Sequence, residues 1–159
     1  MKEKPNIIEF IWHDLGDWLS CYNRLDVPSP CLQSLADDGV GLENHYCAAP
    51  QCSPSRATIK TGRYPQSHGI LGLTHRGWRY KDGEEDLPLI LRRAGYQTYL
   101  IGFQHEREDL AGLTYDESWT DLASAAGVSS ASRTAAGPAA DRTVEFLKSR
   151  APASQPFFL

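Results

Sequence analysis

The run Cys52-Ser53-Pro54-Ser55-Arg56-Ala57-Thr58-Ile59-Lys60-Thr61-Gly62-Arg63 gathers a thiol, several hydroxyls and three cationic side chains into one short stretch. Its order makes local physical sense. Ser53 suits a helix N-cap, Pro54 the first helical position, and Gly62 a left-handed stop. Cys52 then stands at a helix N-terminus, where backbone N–H groups and the helix dipole favour an anion such as sulfate. Arg56 comes four residues later and shares a helical face with Cys52 if the first turn is regular. The plain alternative is a buried structural cysteine ahead of a short helix.

The elements that must position these residues alternate in type. Asn6–Trp12 is an apolar, β-branched and aromatic run, read as a strand. Pro28–Asp38 reads as a helix with Ser29 as cap, Leu32 and Leu35 on one face and Gly39 as stop. Val40–Cys47 returns as a strand, and the Cys52 helix comes next. Leu87–Ala94 is a helix ended by Gly95, Tyr96–Ile101 a strand, Gly112–Gly137 mostly loop, and Asp141–Lys148 a helix. Gln155–Leu159 opens a further strand, which suggests that sequence is missing after it. This alternation predicts an α/β fold with a mostly parallel sheet and helices on both faces. Ligands in such sheets bind beyond the carboxyl ends of the strands, the edge where Asp14 and Cys52 fall in this reading.

Composition bounds the rest. A chain of 159 residues gives one domain of ordinary size, with 41% hydrophobic and 23% charged residues. A net charge of −4 with no basic run argues against a nucleic-acid partner. No apolar stretch approaches the about 18 residues that span a bilayer. The start Met1-Lys2-Glu3-Lys4-Pro5 lacks an apolar segment behind it, which predicts a cytoplasmic protein if Met1 is the native start. The cysteines show no Cys-x-x-Cys spacing, so neither a zinc site nor a disulfide framework is expected. Cys21, Cys31 and Cys47 read as small buried hydrophobes.

Cys-x-Pro-Ser-Arg followed by Thr61-Gly62-Arg63 resembles the signature of type I sulfatases, of the alkaline-phosphatase-like superfamily. In that family the cysteine is oxidised to formylglycine by a formylglycine-generating or sulfatase-maturing enzyme. Other segments are similar in the same order. These are Asn6-Ile7-Ile8 leading to His13-Asp14-Leu15-Gly16, then Asn44–Pro50, Arg63–Gly69, Gly102-Phe103-Gln104-His105 and Pro156–Leu159. Cys52–Ala57 together with Gly69-Ile70-Leu71-Gly72-Leu73 most resembles the N-sulfoglucosamine sulfohydrolase (heparan N-sulfatase) branch. Members of the family run to several hundred residues, so the resemblance implies the N-terminal portion of one incomplete sulfatase domain.

The resemblance implies hydrolysis of a sulfuric ester or sulfamate on a sulfated carbohydrate. Formylglycine derived from Cys52 is the implied nucleophile, Arg56 holds its hydrate, and His105 orients it or moves a proton. It also implies a divalent metal, most readily Ca2+, held by Asp14 and the modified Cys52. The sequence departs from the family at two places. His13 stands where a first Asp is usual, and imidazole is a poor calcium ligand. Phe103 stands where a sulfate-contacting Lys is usual, which leaves Arg76 or His75 to anchor the substrate. His45 and His68 read as structural. Two other readings stay open: a phosphodiesterase or phosphonate hydrolase of the same superfamily, and a truncated, non-catalytic relative kept for binding.

Overall fold

The computed structural model describes residues 4–13, 15–22, 27–120, 136–150 and 155–159. The chain divides into two compact units, residues 1–9 with 48–159, and residues 10–47. The larger unit carries the sheet. Its strands are β1 (Gln97–Ile101), β2 (Glu117–Trp119) and β3 (Phe157–Phe158). They lie in the order β2-β1-β3, all parallel, with Tyr99 beside Glu117 and Thr98 beside Phe158. A fourth row adds to β3. Ile7 donates to the Phe157 carbonyl at 2.8 Å and accepts from Leu159 at 2.9 Å, and Glu9 donates to Leu159 at 2.7 Å.

The helices are α1 (Pro30–Asp38), α2 (Cys52–Thr61), α3 (Pro65–His68), α4 (Leu87–Arg93) and α5 (Ala136–Ser149). Helix α4 opens behind Asp86, whose carboxylate caps the Leu89 amide at 3.3 Å, and Gly95 at φ 88° turns the chain into β1. Side chains alternate across a strand, so Phe157 and Phe158 point to opposite faces. Phe157 packs with Tyr99 on Phe146 of α5. Phe158 lies under the Lys60 ammonium of α2, 5.1 Å from its ring centre. Both faces of the parallel sheet are therefore covered by helix, as the alternation of segments predicts.

Several expectations are corrected. Val40–Cys47 forms no strand; Val40 is 85% exposed and Tyr46 is exposed as well, and this run has no ladder partner among the described residues. A strand needs such a partner for its backbone groups, whatever its side-chain pattern. Within Asn6–Trp12 pairing stops at Glu9, and Phe10 and Trp12 are exposed. Cys31 and Cys47 are exposed and Cys21 half-buried, so they are not core residues. Ser29 flanks α1 but does not cap it; its hydroxyl meets that of Ser20 at 2.7 Å. Leu35 is exposed rather than packed. The stretch read as loop from 112 contains β2 and the start of α5, while 121–135 lies outside the described residues.

Candidate active site

Helix α2 begins two residues earlier than the sequence suggests. Gln51 is the extended flanking residue and Cys52 the first helical one, leaving Ser53 and Pro54 inside the first turn. Ser53 is fully buried, and its hydroxyl accepts the Thr74 amide at 3.3 Å instead of capping its own helix. At the far end Gly62 takes the expected left-handed conformation, φ 65°, and its amide closes on the Thr58 carbonyl at 2.8 Å. The result is a rigid helix with a half-buried Cys52 at its positive end.

Arg56, one turn on, is 7% exposed. Its guanidinium donates to the Phe103 carbonyl at 3.3 Å and lies 4.9 Å over the Phe103 ring. Phe103 comes after Gly102, whose φ of 101° turns the chain off the carboxyl end of β1. Among the described residues, no carboxylate pairs with Arg56. A buried cation without an acid is costly unless an anion or dipole meets it.

A 3-10 turn, Thr74–Arg76, brings in the remaining polar groups. Thr74 hydrogen-bonds through its hydroxyl to the His105 carbonyl at 3.4 Å, and His75 Nδ1 lies 3.4 Å from His105 Nε2. The turn is pinned by Trp78, whose indole covers Gly72 so closely that a Cβ there would fall 2.6 Å from Nε1. Arg76 is exposed on the same turn. The bonds between Thr74 and Ser53 and between Arg56 and Phe103 therefore tie the segments that carry His75 and His105 to the first turns of α2, which carry Cys52 and Arg56.

Cys52 is one of the metal-ligand candidates, and the other two lie outside the larger unit's described residues. Asp14 lies outside the described residues, and His13 is exposed in the 10–47 unit. Among the described residues no group of three or more His, Cys, Asp or Glu side chains could hold a metal. The described residues alone do not fit the implied divalent ion.

A buried polar layer supports these tied segments from behind. Lys60, one turn beyond Arg56, pairs with Glu9 and lies over Phe158 and Tyr115. Glu106 is buried and accepts the His105 amide at 3.0 Å. Arg107 pairs with Asp86 at 3.2 Å and stacks 4.7 Å over Tyr80. The hydroxyls of Tyr80 and Tyr115 are buried without a hydrogen-bond partner among the described residues. Burial first, then the Glu106 carboxylate, pushes both phenols far above their ordinary range. His68 is fully buried, and burial lowers its pKa below the ordinary 6.5. Its Nδ1 accepts the Ile70 amide at 3.2 Å, so Nε2 carries the proton and donates to Thr58 Oγ1 at 3.2 Å. That is a structural role, as expected. His45 is exposed in the other unit.

The Lys60–Glu9 pair is the supporting feature that sequence reasoning missed. Its signal was present: a lone acid inside Ile7-Ile8-Glu9-Phe10-Ile11 and a lone Lys on the Cys52 face of α2.

The model of the Sulfatase family matches residues 5–159. The chain belongs to the sulfatase family. Arylsulfatase H of Homo sapiens is 38% identical over 112 residues, which is 64% of this chain and 20% of that protein. This sulfatase chain thus spans about a fifth of the length of that curated relative. A solved structure described as bound to its substrate D-glucosamine-2-N,6-O-disulfate superposes with TM-score 0.72 at 21% identity. The superposition covers 98% of this chain and 33% of that one. The phosphonate monoester hydrolase of Agrobacterium radiobacter gives TM-score 0.52 at 32% identity, over 63% of this chain and 19% of that one. The fold is that of the sulfatases of the alkaline-phosphatase-like class, seen in its N-terminal part.

Proposed function

We propose that this chain is the N-terminal part of a longer sulfatase domain that hydrolyses a sulfate ester, or the related sulfamate S–N bond, on a sulfated sugar. The observation that carries the reading is Arg56: buried, unmatched by a carboxylate among the described residues, and one turn from Cys52 at a helix N-terminus. Guanidinium, dipole and nucleophile position together favour an anionic substrate.

The chemistry explains why Cys52 is the residue to convert. A thiolate attacking sulfur leaves a thiosulfate adduct with no easy exit. Oxidised by a maturing enzyme to formylglycine, the side chain becomes an aldehyde hydrate. One hydroxyl oxygen attacks sulfur, the bond to the sugar oxygen breaks, and that oxygen leaves with the electron pair and takes a proton. The second hydroxyl then loses its proton as the carbon–oxygen bond to sulfate breaks, which restores the aldehyde and frees sulfate. Two easier steps replace one hard one. Arg56 stabilises the charge that gathers on the hydrate oxygen. The proposal includes a divalent cation, calcium by the preference of hard ions for oxygen, with Asp14 as ligand and His13 and the modified Cys52 beside it. No step above runs through it.

Likeness of Gly69–Leu73 to the N-sulfoglucosamine branch supports the sugar class, with Arg76 and His75 on the substrate side. A second reading, phosphonate or phosphodiester hydrolysis, is favoured by the 32% identity to the phosphonate monoester hydrolase. Turnover of an aryl sulfate, N-sulfoglucosamine and an aryl phosphonate monoester by the mature full-length protein separates the two. Sulfate or sulfamate turnover that disappears in Cys52→Ala supports the first reading, whereas faster phosphonate turnover establishes the second. The isolated 159-residue segment is expected to give no turnover.

A further inference from the structure

His75 and His105 meet nitrogen to nitrogen. Their ring planes differ by 11°, and the facing nitrogens, 3.4 Å apart, are much closer than the ring centres at 5.5 Å. The rings therefore meet edge to edge, as hydrogen-bonded imidazoles do, not face to face. At such a meeting one nitrogen carries the proton and the other accepts it. A second proton between them would set N–H against N–H. The two rings must then share one proton across the contact.

The pair has an inside and an outside. His105 Nε2 is engaged by His75, and its Nδ1 is sealed from solvent. Its backbone is fixed at both ends, the amide by Glu106 at 3.0 Å and the carbonyl by Thr74 at 3.4 Å. The Phe103 ring packs edge-on against it at 5.4 Å. His75 is the exposed member, and Thr74 beside it is bonded to Ser53, the neighbour of Cys52.

We infer that His75 is the imidazole presented to the substrate, and that His105 is a positioning residue that holds it from behind. The inference rests on the sulfate-hydrolase reading above and assigns a proton donor within that site. When the bond from sulfur to the sugar oxygen breaks, its electron pair goes to that oxygen and the proton on His75 Nε2 moves with it. The pair passes from one positive charge to none. Among the described residues, the charged groups beside the pair include the Glu106 carboxylate, which favours the cation, and two guanidiniums that oppose it: Arg56 behind Phe103, and the adjacent Arg76.

Two measurements test this. Imidazole nitrogen NMR of the protein reads the pairing without any turnover. A single proton should couple to both His75 Nδ1 and His105 Nε2, and His75→Gln should abolish that coupling. Rings without any coupling across the contact in the parent protein overturn the pairing. Kinetics of the mature enzyme then read the role. His75→Gln should lower kcat on alkyl or sugar sulfates by about 10²-fold, with a much smaller loss on nitrophenyl sulfate, whose leaving oxygen needs no proton. KM should stay within about twofold. A rise in KM with kcat unchanged overturns proton donation and makes His75 an anchor. A shared proton without any sulfate turnover would leave the dyad standing and remove the catalytic reading instead.

Discussion

Glu9 and Lys60 join the first row of the sheet to the helix that carries Cys52, and removing one charge of this pair should show how much the junction contributes. Their side chains are 21% and 9% exposed, and the ammonium sits over the rings of Phe158 and Tyr115 at 5.1 and 5.7 Å. Glu9→Gln leaves Lys60 charged in that setting. Breaking a fully buried pair costs about 3–5 kcal/mol; the partial access of water to Glu9 brings the expectation to about 2–3 kcal/mol. With a urea slope of about 2 kcal/mol per M for a domain of this size, the unfolding midpoint should fall by about 1 M. Replacing both partners, Glu9→Leu with Lys60→Met, removes the buried charge as well as the attraction, so most of the loss should return. Urea unfolding of the parent, Glu9→Leu, Lys60→Met and the double variant gives the coupling directly, expected at about 2 kcal/mol. A Glu9→Gln protein within about 0.5 kcal/mol of the parent would show that the junction contributes little. So would a double variant no more stable than the sum of the single changes.

The buried phenols make the protein sensitive to alkali. Above about pH 10 the unfolded chain loses protons from Tyr80 and Tyr115 that the folded one keeps, so stability should fall as pH rises beyond that value. Tyr80→Phe should flatten the fall and be neutral or stabilising near pH 7, because the hydroxyl it removes is buried without a partner among the described residues; a clear loss of stability at neutral pH would contradict this. His68 acts at the other end. Its folded pKa is lowered by burial, so the unfolded chain takes up a proton below about pH 6.5 that the folded chain refuses. Unfolding free energy should be flat from about pH 7 to about pH 9 and decline as pH falls through about 6.5, and that decline should be absent in His68→Gln. Gly62→Ala should cost about 1 kcal/mol in thermal or urea unfolding; the φ of 65° strains an L residue although the space beside it is open. A neutral result would mean that the left-handed stop carries no strain.

Local signals in the sequence carried most of what is observed around α2. Gly62 was legible as the stop because its φ requirement is intrinsic, and the parallel sheet could be read from segment alternation. The N-cap falls two residues before Ser53 because Ser53 has a competing partner, the Thr74 amide, that only the tertiary fold supplies. Val40–Cys47 failed for the converse reason, since a β-like pattern cannot supply the neighbouring strand it needs. The Arg56–Phe103 contact spans 47 residues and the Lys60–Glu9 pair 51, separations that no periodicity reports. The motif Gly102–His105 lies on the loop that meets Arg56 and Thr74, because a strand that ends in Gly delivers the next residues to the carboxyl edge of the sheet. His75 was named as a possible anchor, but its pairing with His105 was not legible; two histidines 30 positions apart carry no mark of contact.

The proposed chemistry stands or falls on Cys52 as the precursor of the nucleophile. Mass spectrometry of the tryptic peptide ending at Arg56, from the protein made in a host with a maturing enzyme, reads the state of that side chain. An aldehyde at Cys52 is expected, with sulfate-ester turnover proportional to the fraction converted. A peptide that keeps its intact thiol in a preparation that still hydrolyses sulfate esters would rule the precursor role out.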